Sequence, residues 1–372
     1  MQIKTRKFSG FNSLSSRLLA IFTFSLLGLI LFHLSRQKEP QPSYSQMLQA
    51  AERMQQAIAE IRKFRQELNL PIDPVLDPGL SGFIGSEITP LTTTLGNLEA
   101  KQTALNPDFA ALILRWFREL DIQKGETVAL QLSGSFPALN IAAIIACDVS
   151  GVNPVITSSI GASSFGANLP GMSYPDIEKR LYEKGMIQHR SHWVTLGGNN
   201  DREILLWEEA DSIVNQIIKR TGDSLFYPRT LKESIHAKWE FFNRNGKVRV
   251  FINIGGNQAA LGNCPHSSRL PVGLIKNALF CLDEQRGLMM KFWETGTPVI
   301  HFLNIRSLAI RESLPLTPIF SFKPGSSDIY FKIDQPRWVK IILIIFLAGS
   351  WLFLRNPQRI PRSSRTTSTN IS

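Results

Sequence analysis

The stretch LQLSGSFPALNIAAIIA, residues 130–146, runs from strand-type residues into Ser133-Gly134-Ser135, then Pro137, then an unbroken apolar series. Proline suits the first turn of a helix, because its missing N–H would have no intrahelical partner there. The stretch therefore reads as a strand handing over to a helix through a glycine turn. Outward from it the same handover repeats. Strands are expected at Thr127–Leu132, Pro154–Ser158, His192–Leu196, Leu225–Tyr227 (the weakest), Val248–Ile254 and Pro298–Leu303. Helices are expected at Pro137–Val149, Tyr174–Lys184, Glu203–Arg220, Leu231–Arg244, Glu284–Glu294 and Ile305–Arg311. Asn106-Pro107-Asp108 supplies a cap, a first-turn proline and a dipole-favoured acid for one more helix, which ends before Gly125. Alternation of this kind predicts an α/β fold, Rossmann-like in the broad sense, with a mostly parallel sheet and helices on both faces.

The ends of the chain read differently. Leu18–Leu34 and Trp338–Leu354 are each almost wholly apolar, about the length a helix needs to cross a bilayer. N-terminal and C-terminal transmembrane helices are therefore expected, the first an uncleaved anchor because no small-residue cleavage site follows it. Lys4, Arg6, Lys7 and Arg17 precede the first span, and Arg355, Arg359, Arg362 and Arg365 follow the second, with no acid in either tail. By the positive-inside rule both tails are expected in the cytoplasm and the main domain outside the inner membrane. The net charge of +11 is concentrated in these ends: 1–35 carries +4 and 338–372 carries +5. The basic balance is then a property of the tails and gives no reason to expect a nucleic-acid partner.

The expected organisation is a basic tail (1–17), a span (18–34), an amphipathic helix or stalk (35–70), a turn-rich connector (71–105), the α/β domain (106–314), a return segment (315–337), a span (338–354) and a basic tail (355–372). Within 44–68, Met47, Ala51, Met54, Ile58, Ile61 and Leu68 recur at spacings of four and three, interrupted by Arg65. That face could meet a second copy as a short coiled coil or pack on its own domain. Asp73 and Asp77 fit no calcium loop and read as turn acids. Of the three cysteines, Cys264 and Cys281 could form one bridge outside the cytoplasm, whereas Cys147 lies in an apolar helix and reads as core. No spacing fits a zinc site, and neither G-x-G-x-x-G nor G-x-x-x-x-G-K-[ST] occurs, so no metal or cofactor is expected.

In open parallel sheets ligands bind beyond the carboxyl ends of the strands. That rule selects the loops 133–140, 158–168, 196–201 and 253–258, all rich in hydroxyl, amide and glycine residues. The candidate ligand-binding residues are Ser133, Gly134, Ser135, Asn140, Ser158, Ser159, Ser163, Ser164, Asn168, Asn253, Gly255, Gly256, Asn257 and Gln258. Amide donors and helix dipoles there favour an anion or a carbonyl-bearing ligand. A complete catalytic set is missing. Ser135, Ser163, Ser164 and Asp201 are the weak catalytic candidates, with Glu99 a second acid to consider as a base. SGNH-type hydrolases require a D-x-x-H, and no histidine here has it; Gly161-Ala-Ser-Ser-Phe-Gly166 is one residue longer than the G-x-S-x-G elbow. His301 lies in an apolar strand and reads as a core or rim histidine. Arg202 follows a glycine loop and could meet a carboxylate, a surface position being the commoner case.

Gly85-Ser-Glu-Ile-Thr-Pro-Leu-Thr-Thr-Thr-Leu-Gly-Asn-Leu-Glu-Ala-Lys-Gln-Thr103, followed by Asn106-Pro-Asp-Phe-Ala-Ala and the 133–140 and 158–168 loops, resembles the poly-gamma-glutamate system protein family over nearly the whole chain, the N-terminal anchor included. The resemblance implies a membrane-anchored accessory of bacterial poly-γ-glutamate biosynthesis and export. Its extracytoplasmic domain would bind the anionic polymer or the membrane subunits of the synthase. The alternatives are an amide hydrolase or transferase acting on γ-glutamyl bonds, and a scaffold assembling as a homo-oligomer through 44–68. The resemblance carries no catalytic residues.

Overall fold

The computed structural model describes residues 14–202, 209–244, 246–263, 270–276, 286–316, 323–325, 327–334 and 336–355. The chain divides into a unit formed by its two ends, Met1–Pro40 with Phe331–Ser372, and a body, Gln41–Tyr330. The N-terminal end holds α1 (Leu14–Leu34) and β1 (Gln37–Pro40). The body begins with α2 (Tyr44–Glu67), β2 (Thr92–Thr94), α3 (Leu98–Thr103), α4 (Asp108–Glu119), β3 (Thr127–Gln131) and α5 (Pro137–Ser150). Next come β4 (Asn153–Ser159), β5 (Ala162–Ser163), β6 (Asn168–Leu169), β7 (Met172–Ser173), α6 (Tyr174–Glu183), β8 (Trp193–Thr195), α7 (Ala210–Thr221) and α8 (Leu231–Asn243). It closes with β9 (Val248–Ile254), α9 (Gln258–Leu261), β10 (Gly273–Ile275), α10 (Leu288–Glu294), β11 (Val299–Phe302) and α11 (Ile305–Arg311).

The opening stretch folds as its residues dictate. Ser133 Oγ accepts the Ser135 N–H at 3.1 Å, and Asn140 Nδ2 donates to the Ser133 carbonyl at 2.8 Å, so the turn after β3 is tied to the first turn of α5. Pro137 starts that helix and Gly151, at φ +70°, ends it in the left-handed conformation that spares a Cβ clash. Six strands form the main sheet in the order β10-β11-β9-β3-β4-β8. All neighbours are parallel except β10, which pairs antiparallel with β11 at the edge. The chain leaves β3 towards β4 and β8, then returns to the other side of β3 as β9. The order therefore reverses between β3 and β9, where the loops separate and leave room for a ligand.

Both faces of the sheet are covered. Phe251 stacks on Phe292 of α10 with ring centroids 4.6 Å apart, within a cluster that includes Ala129, Val299, Phe242 and Met289. Phe302 points to the other face, edge-on to Phe109 of α4 at 6.1 Å and tilted against Trp116 at 5.6 Å. Asp108, the acid expected in the first turn of α4, is buried and accepts from the hydroxyls of Ser327 and Tyr330, both at 2.6 Å. One expectation is revised. Leu225–Tyr227 is not a strand: Leu225 makes a single bridge to Val194, and the chain reaches Pro228 before any ladder can extend. Of the two readings of the α2 face, the structure holds packing on its own domain. Met47, Ala51, Met54 and Ile61 are buried, and α2 packs on α4, α5 and α6. Arg65, the polar residue in that series, is buried with them and donates to the carbonyls of Gly82, Ile84 and Pro71, fastening the connector. Asp77 holds the same connector by accepting from the N–H groups of Ser81 and Gly82.

At the C-terminal end β12 (Phe331–Asp334) pairs antiparallel with β1 and is followed by α12 (Arg337–Arg355). Helices α1 and α12 contact each other, and otherwise expose their apolar residues, Leu19, Phe22 and Leu29 on one and Ile344, Leu347 and Trp351 on the other. Among the described residues no helix is long and apolar enough to cross a membrane. The described side chains of α1 begin at Leu18 and those of α12 end at Leu352. The outer tails, Cys264, Cys281, His266 and Glu203–Trp207 lie outside the described residues.

Replacing Met54 by Asp buries a carboxylate against α4 and α5. It is expected to lower the unfolding free energy by about 3 kcal/mol or more, measured as a reduced urea midpoint. A variant of unchanged stability that only lost self-association would restore the stalk reading.

Candidate functional site

A cleft of about 840 Å³ lies where the parallel strands end. Ser133 and Ser135 reach it from the loop after β3, Ser159, Gly161 and Ser163 from β4 and beyond, and Gly198 and Asn199 from the loop after β8. Gly256, Asn257 and Gln258 come from the loop after β9, and Asn304 and Arg306 follow β11. The segment Thr93–Asn97 with Lys101 of α3 forms a further wall, and Phe136, Leu303, Ile305 and Ile310 add apolar surface. Close approach of these loops needs glycine: Gly255 has φ +91°, and a Cβ there would stand 2.9 Å from Ser133 Cβ.

Seven of the expected ligand-binding residues line the cleft: Ser133, Ser135, Ser159, Ser163, Gly256, Asn257 and Gln258. The others build its frame. Asn140 ties the 133–136 turn, and Asn168 Nδ2 donates to the Ser86 carbonyl at 2.7 Å and to Thr92 Oγ1 at 2.9 Å. Asn253 donates to the Gly255 carbonyl at 3.0 Å and accepts from Asn257 Nδ2 at 3.0 Å, fixing the turn after β9. Gly134 lets two loops pass, since a Cβ on it would meet the Gly161 carbonyl at 2.9 Å. Ser158 is fully buried and accepts from Ser191 Oγ at 2.8 Å; that hydroxyl is in turn near Glu178. Among the described residues Glu178 pairs with no cation, and burial pushes its carboxyl up to about 7. Ser164 is buried, and its N–H donates to the Thr94 carbonyl at 2.9 Å.

Asp201 is not available as a base. Its carboxylate is buried, contacts Lys238 Nζ, and accepts from the hydroxyls of Thr195, at 2.8 Å, and Ser234. Two hydroxyl donors and an ammonium hold it in a structural role behind the 196–201 loop. Glu99 pairs with Arg306. Among the described residues Arg202 meets no carboxylate: it donates to the Arg229 carbonyl at 2.9 Å and lies over the Tyr227 ring. His301 is a buried core histidine beside Asn253, and desolvation pulls its imidazole down to about 4. Cys147 is fully buried, as its apolar helix implies.

The residue missed in sequence is Lys101. Asn97 caps α3 by accepting the Ala100 N–H at 2.8 Å, which directs the helix so that Lys101 points under the cleft. Its ammonium is almost fully buried, donates to Ser163 Oγ at 2.7 Å and to the Ser135 carbonyl, and lies 3.8 Å from the centroid of the Phe136 ring. No carboxylate among the described residues offsets the burial, and desolvation pulls Lys101 down to about 7. Ser163 is held from its other side: its N–H donates to Ser135 Oγ at 2.9 Å, and as part of β5 it pairs with Thr94 of β2. Gly96 is packed directly above, where a Cβ would lie 2.5 Å from the Ser164 carbonyl and 3.1 Å from Ser163 Oγ. The signal available in sequence was weak, a lysine in a six-residue helix next to a glycine turn, with nothing to mark it as buried.

The chain matches no protein-family model, no curated protein and no solved structure.

Lys101 costs stability wherever the unfolded chain holds a proton that the folded chain must either desolvate or release. With a folded value of about 7 against an ordinary 10.5, the cost is full below pH 7, shrinks as pH rises, and vanishes near 10.5. Lys101→Met keeps the volume and is expected to stabilise the fold by about 1–3 kcal/mol at pH 6 after loss of two hydrogen bonds. The gain should fall steadily between pH 7 and 10, as read from denaturant midpoints across that range.

Proposed function

We propose that this is a membrane-anchored protein whose cleft binds a carboxylate-bearing chain, and that the chain is poly-γ-glutamate. The observation that carries the reading is the charge of the cleft: among the described residues Lys101 and Arg306 line it and no aspartate or glutamate does, while the rest combines hydroxyl, amide and glycine groups with the apolar Leu95, Ala100, Phe136, Leu303, Ile305 and Ile310. A carboxylate entering such a site exchanges water for preorganised donors and meets a cation that has no anion of its own. The amide groups of Asn199, Asn257 and Gln258 suit the peptide-like linkages between carboxylates. The polymer itself is named on the family resemblance of the sequence. Synthase membrane subunits are the protein partners this reading expects.

Support for the anchors comes from the apolar runs 18–34 and 338–354, their basic flanks, and the exposed leucine, isoleucine and aromatic side chains of α1 and α12. Such surfaces are costly in water and natural in lipid. Antiparallel pairing of β1 with β12 puts the C-terminal end of α1 beside the N-terminal end of α12, as two spans returning to the same side require. Met47, Ala51, Met54 and Ile61 of the α2 face are already buried by the body, which leaves little of that face for the scaffold reading.

Two measurements test the proposal. Full-length protein in detergent is expected to bind γ-glutamyl oligomers, with Arg306→Ala weakening them about tenfold or more and with affinity rising as pH falls through about 7, where Lys101 gains its proton. Equal binding of the neutral amidated oligomer would overturn it. Tags placed at the two termini are both expected to resist protease added outside intact cells stripped of their wall; digestion of either one removes the two-span topology.

A further inference from the structure

The contact between Lys101 and Ser163 is built more carefully than anion binding requires. A lysine placed only to attract carboxylates works best exposed or paired, with its charge secure. Here the ammonium is withdrawn beneath the cleft, and its nearest polar neighbours are one hydroxyl and one carbonyl. Both belong to loops that line the cleft at the sheet's switch point. The hydroxyl is that of Ser163, whose backbone is fixed by β5 pairing and by Ser135 Oγ. Gly96 removes the side chain that would otherwise cover it.

We infer that Ser163 Oγ is a nucleophile for acyl transfer, that Lys101 Nζ is its general base, and that the bond attacked is the amide of a γ-glutamyl chain. The substrate class rests on the carboxylate-binding reading above; the nucleophile and base rest on geometry alone. Burial that holds Lys101 near 7 leaves much of it neutral at physiological pH, with a lone pair facing the serine. Neutral Nζ takes the Ser163 proton as Oγ attacks the amide carbon. The tetrahedral adduct collapses, the C–N bond breaks, and the leaving amine takes the proton from the Lys101 ammonium, leaving an ester on Ser163. Water, or the amine of a second chain, then attacks the ester carbon and gives its proton to Nζ. The C–Oγ bond breaks, Ser163 recovers a proton, and the products are acid plus amine, or a new amide. Ser135 is a positioning residue: its carbonyl orients Nζ and its hydroxyl holds the Ser163 N–H. The charged groups towards the mouth are Arg306 and its partner Glu99; the element packed against Nζ from the other side presents Phe136.

Binding and chemistry then have opposite pH dependence, which separates them. Protonated Lys101 favours a carboxylate ligand below pH 7, and neutral Lys101 favours attack above it. Full-length protein in detergent is treated with a fluorophosphonate, which transfers its phosphonyl group to an activated serine and releases fluoride. Mass spectrometry is expected to find the adduct on Ser163, formed at a rate that rises about tenfold per pH unit below 7 and levels off above. Ser163→Ala should abolish the adduct. Lys101→Met should slow it about 100-fold or more, and Ser163→Cys, alkylated by iodoacetamide at wild-type circular dichroism, checks that the position stays accessible. Wild-type protein without an adduct on Ser163 at pH 8, or a rate indifferent to pH and to Lys101→Met, overturns the assignment even if γ-glutamyl oligomers bind. An adduct with the expected profile in protein that neither binds nor shortens those oligomers upholds the nucleophile and base and overturns the substrate class.

Discussion

Everything at the cleft follows from parallel pairing. In a parallel sheet each strand must be followed by a crossover, so every loop that leaves a carboxyl end leaves it on the same side. Strands β3, β4, β8, β9 and β11 therefore bring distant parts of the chain, from Ser133 to Arg306, to one edge without any of them needing a specific partner. The return of the chain from β8 to β9 opens the gap between the β3 and β9 loops. Gly255 and Gly134 then let those loops pass within contact distance of their neighbours, which sets how narrow the gap is.

Across that edge lies a segment that is not part of the sheet. The connector, pinned by Arg65 and Asp77, leads through β2 into α3 and delivers Lys101. The placement has a cost, since an ammonium leaves water for two hydrogen bonds and an aromatic face. A structural lysine avoids such a cost by staying on the surface or by meeting a carboxylate. That Lys101 does neither is the physical reason to look for a function at that point.

The sequence discloses the frame because its signals are local. Pro137 after Ser133-Gly134-Ser135 and the β-branched runs Val248–Ile254 and Pro298–Leu303 each act over a few residues and give the expected helix start and strands, while at Asn106-Pro107-Asp108 the helix starts one residue late, with Pro107 at its cap and Asn106 Oδ1 accepting the Asp108 N–H at 2.9 Å. The strand ends point to the right loops, so Ser133, Ser135, Ser159, Ser163 and Gly256–Gln258 are legible as cleft residues. What one sequence does not disclose is which polar residue is buried. Asp201 looks like a free acid beside a glycine loop until Lys238, 37 residues on, closes over it. Lys101 looks like a surface lysine until Ser163, 62 residues on, arrives beside it. Both facts depend on contacts between elements far apart in the chain. Leu225–Tyr227 fails for a related reason: its residue types suit a strand, yet its neighbour Val194 offers one bridge and no ladder.

Lys101 and Lys238 form an internal comparison. Both are buried lysines, and desolvation pulls both below the ordinary value. Lys238 has the Asp201 carboxylate against it, whose charge and hydrogen bond oppose desolvation, and the pair closes on hydroxyls behind the 196–201 loop. Among the described residues Lys101 has only neutral partners, and one of these is a serine hydroxyl facing a cleft. The first arrangement secures a charge and the second makes a charge easy to lose. Proton exchange with a neighbouring hydroxyl is open to the second alone, so between Lys101 and Asp201 it is Lys101 that has the physical chemistry of a base.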